Sequence, residues 1–282
     1  TLALEYGTFT AVLGAPGSGK STLVQHLNGL LLPQSGQLHI LDFRITAGQK
    51  PSSLRDLRRR VGLVFQFPEQ QLFAHTVEQD ICFGPLNFGM SEKEAKAAAR
   101  DAVLALGLDE SLLAMNPFQL SSGQLRKVAL ATILAADPDI FVLDEPTANL
   151  DQASRIELLQ ILHRLCRERG KTIILVTHRL EEVLEFADHY VILENGTATL
   201  TARAEELPDK MDQLRNAGII LPPQLAILGI LRERFGLWPA SMGASGAPYS
   251  VEAIAETIAR LVRQSGELRP PVQQERGGSR DE

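Results

Sequence analysis

An α/β fold with a mostly parallel sheet is what this sequence predicts, and three observations carry the expectation. Short apolar runs bounded by turn residues alternate with longer stretches of helical periodicity. Two of those runs, Ile140–Leu143 and Thr172–Val176, are apolar on both faces, as strands covered on both sides are. A glycine-rich turn, Gly14 to Gly19, joins the first run directly to a helical stretch. The strands expected in order are Phe9–Leu13, Val61–Phe65, Ile140–Leu143, Thr172–Val176 and Tyr190–Glu194. Asn195-Gly196 then turns the chain into Thr197–Thr201, a strong hairpin signal.

Helices are marked at their ends. The first is expected over Ser21–Leu30. Ser91-Glu92-Lys93-Glu94 is a capping box that opens a helix running toward Leu106 and stopping at Gly107. Gln152–Arg169 places Ile156, Leu159, Leu162 and Leu165 on one face and ends at Gly170. After Pro208 the helical pattern is interrupted by Pro222-Pro223 and by a small-residue stretch over Gly243–Pro248. An amphipathic helix over Val251–Val262 follows, and then a tail whose Pro, Gln, Gly and Arg content reads as disordered. The division expected is a main domain over 1–205, a helical appendage over 206–265 and the tail over 266–282.

Composition narrows the function classes. The chain has 282 residues, 44% hydrophobic and 22% charged, enough for one large domain or one domain with an appendage. A net charge of -6 argues against a nucleic-acid surface. No apolar run approaches the roughly 18 residues of a membrane span, and the longest, Gly218–Leu231, is broken by its two prolines. Cys82 and Cys166 are too few for a disulfide or zinc framework and fit a reducing compartment. Thr1 is not a methionine and Leu2-Ala3-Leu4-Glu5 reads like the middle of a strand, so a preceding segment is expected.

Gly14-Ala15-Pro16-Gly17-Ser18-Gly19-Lys20-Ser21 matches the phosphate-binding loop pattern in the required strand-to-helix context. The glycines let successive N–H groups face inward as an anion nest at a helix N-terminus. Lys20 is placed to neutralise β- and γ-phosphates, and Ser21, followed by Thr22, to offer a hydroxyl to Mg²⁺. The run Ile140 to Leu143 delivers Asp144 and Glu145 at its C-terminal end. Adjacent residues on a strand point apart, so Asp144 can support the metal while Glu145 orients or deprotonates a water. Gln66 and His178 each follow a strand, where Gln66 can reach metal and water and His178 the γ-phosphate. Leu120-Ser121-Ser122-Gly123-Gln124 opens another helix, a second phosphate-binding end without a lysine. Two such ends and one lysine-bearing loop predict a dimer in which the second end completes the partner's site.

In this order, the Gly14–Ser21 loop, Gln66, Leu120–Gln124, Leu143-Asp144-Glu145-Pro146, Ala148-Asn149-Leu150-Asp151 and Val176-Thr177-His178 resemble the nucleotide-binding subunit of ABC transporters. The segments Val64 to Phe73 and Asp80 to Gly89 are similar to the ATPases of energy-coupling factor transporters, importers of vitamins or of metal ions. The resemblance implies a phosphate-loop NTPase fold with an ABC-type helical subdomain at about 67–135, and ATP with Mg²⁺ as ligands. It implies Lys20 and Ser21 on phosphate and metal, Asp144 on Mg²⁺, Glu145 as general base and His178 as γ-phosphate switch. Ser121 and Gly123 would act in trans, and Asp151 would link protomers. The partners implied are a second ATPase subunit, identical or homologous, a transmembrane coupling protein and a substrate-capturing membrane protein, with this chain peripheral at the cytoplasmic face of the membrane.

Two departures from the family pattern bear on function. Ser122 stands where the family's signature has a first glycine, which predicts slower turnover at that site. The adenine-stacking aromatic of the family lies upstream of Leu2, and Tyr6 is too close to the loop strand to replace it. The alternative to an importer subunit is an ABC-fold ATPase of a non-transport or regulatory assembly with little intrinsic hydrolysis. Phe67, Phe73, Phe83 and Phe88 read either as the core of a small helical subdomain or as a docking surface. Arg55 and Arg58–Arg60 read as a solvated basic face.

Overall fold

A computed structural model describes residues 1–51, 53–236 and 249–267. In chain order the elements are β1 (Phe9–Leu13), α1 (Lys20–Leu27), β2 (Gln37–Ile40), β3 (Phe43–Thr46), α2 (Leu54–Arg60), β4 (Val61–Val64), α3 (Val77–Asn87), α4 (Glu92–Ala105) and α5 (Ser122–Leu134). There follow β5 (Ile140–Asp144), α6 (Gln152–Arg169), β6 (Thr172–Val176), α7 (Leu180–Val183), β7 (His189–Glu194), β8 (Thr197–Arg203), α8 (Met211–Asn216), α9 (Pro223–Phe235) and α10 (Val251–Glu267). The chain divides into two compact units, Thr1–Pro222 and the residues from Pro223 on.

The first unit is organised by a six-stranded sheet in the order β4-β5-β6-β1-β7-β8. Every pairing is parallel except β7 with β8, the hairpin turned at Asn195-Gly196. Both turn residues have positive φ, 48° and 78°, which matches the strands' right-handed twist. β1, β4 and β6 are buried at every position. Val12, Val24, Leu57, Val61, Val142, Ile174, Val176 and Val191 form one cluster between sheet and helices. Register decides where the chemistry falls. Val64 pairs with Leu143, Leu143 with Leu175, Asp144 with Val176 and Val12 with Val176. The residues that follow all four strands therefore emerge along one edge, where open α/β sheets bind ligands.

β2 and β3 form an antiparallel pair that sequence periodicity did not single out, being four residues each and only partly buried. Helices α3, α4 and α5 pack together beside the sheet. α4 contributes Ala95, Ala99, Ala102 and Val103, small residues that allow close helix approach. Its capping box is formed as the sequence predicts, Ser91 with Glu94. α6 spans Gln152–Arg169 with Gly170 left-handed at its end, but Ile156, assigned to the buried face, is 42% exposed. The inward stripe runs through Leu158, Leu159, Ile161, Leu162 and Leu165 instead.

After β8, a tight helical turn over 204–210 and α8 bury Leu207 and Leu214 completely within the first unit. The second unit holds α9 and α10, whose buried residues include Leu225, Leu228, Leu231, Ala253 and Ile254. α10 extends beyond the expected Val262 to Glu267. The small-residue stretch over Gly243–Pro248 lies outside the described residues, as does the tail from residue 268. Among the described residues no helix is long and apolar enough to cross a membrane.

Candidate nucleotide site

The site is built at the C-terminal edge of the sheet. The loop Gly14–Gly19 leaves β1 and enters α1 through Gly19, which caps the helix at φ 101°, a conformation glycine adopts at little cost. Close approach fixes Gly14 for another reason, since a Cβ there would lie 2.3 Å from the Leu193 carbonyl oxygen. Ala15, Pro16 and Gly17 line the exposed rim, and the Ser18 N–H donates back to the Ala15 carbonyl at 3.1 Å. The first N–H groups of α1, Lys20, Ser21 and Thr22 among them, have no intrahelical acceptor.

Lys20 is buried, and its ammonium donates to the carbonyls of Gly14 at 2.8 Å and Ala15 at 2.9 Å. Burial pulls its pKa below the ordinary lysine value, while Glu145 and Asp144 oppose that shift. Asp144 moves the other way. Burial raises its pKa, the neighbouring Glu145 carboxylate adds to the rise, and the Ser21 hydroxyl and Lys20 hold it back. Ser21 and Asp144 thus stand together as oxygen ligands of the hard kind that Mg²⁺ takes. The Ser18 hydroxyl is buried against Gly14, without a protein partner. An inward ammonium, orphan N–H groups and an unpartnered hydroxyl fit an anionic phosphate chain with a metal.

Glu145 sits just past β5 at φ 47°, a left-handed conformation that costs a non-glycine residue about 1–3 kcal/mol. Its N–H donates to Val176 at 2.9 Å, which fixes the turn against β6. Its two carboxylate oxygens meet the two other predicted residues. Gln66 Nε2 lies 3.4 Å from Oε2, and His178 Nδ1 lies 3.1 Å from Oε1. Strands β4, β5 and β6 thereby bring Gln66, Glu145 and His178 into one cluster. A carboxylate held between an amide and an imidazole at a rim facing solvent can accept a proton from water.

Leu120-Ser121-Ser122-Gly123-Gln124 forms the start of α5, with Ser121 as N-cap in a capping box with Gln124. Ser121 and Ser122 are exposed, and a Cβ on Gly123 would find only Ser154 Oγ, at 3.9 Å. Nothing among the described residues requires a glycine there. A cavity of about 210 Å³ separates this end from α6, lined by Gly123, Lys127, Leu150, Ser154 and Glu157 among others. Asp151 caps α6 by accepting from the Ser154 N–H at 3.0 Å and hydroxyl at 2.6 Å, bonds that hold its carboxyl below the usual range.

The ABC transporter family profile matches residues 1–148. Over 260 residues the chain is 45% identical to the energy-coupling factor transporter ATP-binding protein EcfA2 of Bacillus anthracis, covering 92% of this chain and 87% of that one. This chain belongs to the ABC transporter ATPase family. The corresponding protein of Listeria innocua is 44% identical over 255 residues, 88% of each chain. Among solved structures, cbiO1 from Clostridium perfringens, described as part of the ABC transporter complex cbiONQ, superposes with a TM-score of 0.65. It is 33% identical over 80% of this chain and 89% of that one. A dimeric ATP-binding cassette in a post-hydrolysis state with ADP and phosphate gives 0.64 at 29% identity, covering 72% and 88%. The chain is accordingly an ATP-binding subunit whose hydrolysis drives transport.

Two buried charges of this ATPase escaped sequence reasoning. Arg126, on the inner side of α5, donates to the Pro146 carbonyl at 2.8 Å and pairs with Glu69 at 3.4 Å. Glu182 of α7 pairs with Arg155 and Arg179 and accepts from Thr147. The available signal was the Arg126-Lys127 pair followed by the apolar residues of α5; Glu182, beside Glu181, gave none.

The aromatics divide differently from a core. Phe73 and Phe83 are 64% and 52% exposed and meet edge to face at 5.1 Å, while Phe67 and Phe88 are half-buried. Nor is the basic run merely solvated. Arg60 pairs with Asp42 and Asp139, Arg58 donates to Gly29 and Arg55 to Asn87.

Proposed function

We propose that this chain is the ATP-hydrolysing subunit of an energy-coupling factor importer, peripheral at the cytoplasmic face of the membrane and paired with a second ATPase subunit of the same or homologous kind. The observation that carries it is the convergence of Gln66, Glu145 and His178 beside Lys20 and Asp144 on one sheet edge. The division into an ATP-binding domain over 1–205, with a helical subdomain near 67–135, and an appendage over 206–265 is a functional one.

In this reading the loop N–H groups, Lys20 and the residues Ser18 to Thr22 bind the β- and γ-phosphates. Ser21, Gln66 and Asp144 hold Mg²⁺, which neutralises charge developing on the phosphate oxygens when bound. Glu145 takes a proton from water as the water oxygen bonds to the γ-phosphorus, and the bond to ADP breaks to release phosphate. His178 Nδ1 faces Glu145, so a neutral ring donating there has no proton on Nε2 for the γ-phosphate.

Ser121, Ser122, Gly123 and Gln124 grip the partner's ATP, and Asp151 lies at the junction between protomers. Hydrolysis removes the shared γ-phosphate and lets the pair open. Phe73, Phe83 and Leu86, all exposed, suit a transmembrane coupling protein, and a separate membrane protein captures the vitamin or metal ion. Glu145→Gln tests the assignment: turnover should fall by about 10²–10⁴-fold, with ATP still bound and the dimer trapped. Wild-type hydrolysis in that variant would remove Glu145 from the role.

A further inference from the structure

The carboxylate of Glu182 is 3% exposed, yet it ties together three segments around the catalytic cluster. Oε2 accepts from the Thr147 hydroxyl at 2.6 Å, two residues beyond Glu145. Oε1 pairs with Arg179 at 3.0 Å, the residue after His178. The same oxygen pairs with Arg155 at 3.2 Å, and Arg155 donates to the Leu150 carbonyl at 3.1 Å, beside Asp151. One buried anion thus holds the turn after the base, the turn after the switch histidine and the loop ahead of α6.

A buried cluster of this kind contributes little net stability compared with apolar packing, because desolvating the charges offsets their attraction. Its distinctive product is a fixed geometry. Glu145 needs such support, since its left-handed backbone is held in place by surrounding structure rather than by its own preference. The Glu182 network grips the Glu145-Pro146-Thr147 turn from the α7 side, while Arg126 grips Pro146 from α5.

We propose that Glu182 is a positioning residue that couples the placement of Glu145 to the His178 turn and to the Leu150–Asp151 loop. The inference rests on the reading of Glu145 as the base. It touches neither the phosphate loop nor Lys20, so it governs the hydrolytic step and leaves ATP binding alone.

The test compares full-length wild type, Glu145→Gln, Glu182→Gln and Glu182→Asp for ATP-binding stoichiometry, KM and kcat. Glu182→Gln keeps the shape and an acceptor for Thr147 but leaves Arg155 without its anion and Arg179 with Glu181 alone. Its kcat should fall about 10- to 100-fold while KM stays within about twofold, and Glu182→Asp should recover part of the loss. If Glu145→Gln turns over like wild type, the base reading fails and this inference with it. If Glu145→Gln is inactive but Glu182→Gln matches wild type, this inference alone is overturned. A parallel loss of binding stoichiometry and kcat would mean lost folded protein, and the decision then passes to a second variant. Should Glu182→Gln not fold, Thr147→Val removes the single link to the base turn without stranding a charge. That variant should lose kcat several-fold at constant KM, and an unchanged kcat would refute the coupling.

Discussion

The phosphate loop and the start of α5 are both glycine-bearing helix N-termini, but they are built in opposite ways. At the loop, Gly14 is required by the chain itself, Lys20 is buried against its own loop carbonyls, and Asp144 stands behind Ser21. At α5, Ser121 and Gln124 cap their own helix, and the space over Gly123 is open. A glycine with no internal reason, at an exposed helix end, is a place for something to approach from outside. The contrast separates a complete anion site from half of one, and substitutions can probe each half alone.

The largest effect belongs to Lys20→Ala. Each charge-assisted hydrogen bond to phosphate contributes about 1.5–3 kcal/mol, so ATP affinity should fall about 10- to 100-fold or more by equilibrium titration. Unchanged affinity would refute the loop as the binding half. Gly123→Ala should act next in size and in the other sense. A methyl fits within the chain and favours the helix by up to about 1 kcal/mol, so the melting temperature should hold or rise. ATP should bind normally while turnover drops about tenfold, because the methyl meets the partner's nucleotide. Gly14→Ala makes the contrast complete, since its methyl collides with Leu193 and should lower the melting temperature instead. Equal losses of stability at both glycines would erase the distinction between the halves.

How much of this was legible follows the same division. Local signals placed the phosphate loop, because Gly, Lys and Ser at fixed spacing between a strand and a helix describe a self-contained site. The parallel strands were legible from apolar runs such as Ile140 to Leu143, and their ends from the polar residues that follow. The contact of Gln66 and His178 with Glu145 depends on sheet register across 79 and 33 residues, which no local pattern states. Arg126 and Glu182 were hard to read for a related reason. A charged residue on a helix reads as solvent-facing until a partner distant in sequence shows it to be buried. Ile156 went wrong by a phase error in α6, where the true inward stripe lies on the neighbouring face.

A smaller effect is expected at Asp144, behind the complete half. Burial and the Glu145 charge raise its pKa, so the folded chain holds this proton to higher pH than the unfolded one. The stability linked to that proton is present below the unfolded value, about 3.9, and is lost as the pH rises through the raised folded value. At neutral pH the ionised Asp144 is therefore a cost to the nucleotide-free protein. Asp144→Asn should raise the nucleotide-free melting temperature by about 2–4 °C and flatten its acid dependence, while Mg²⁺-dependent turnover is lost. A lower melting temperature would show that the pairing with Ser21 and Lys20 outweighs burial.

The smallest effect tests the open half. Ser122 is the first residue of α5, is exposed, and takes no part in the cap made by Ser121 and Gln124. If its side chain crowds the approaching nucleotide, Ser122→Gly should raise kcat roughly twofold to fivefold, a barrier change under about 1 kcal/mol, at unchanged ATP affinity for the phosphate loop. Exchanging serine for glycine weakens helix propensity by about half a kcal/mol, so a slight fall in melting temperature should accompany the gain. A fall in kcat would give the opposite lesson. The Ser122 hydroxyl would then be a donor to the partner's phosphate, and the open half would owe part of its grip to a side chain instead of to backbone N–H groups alone.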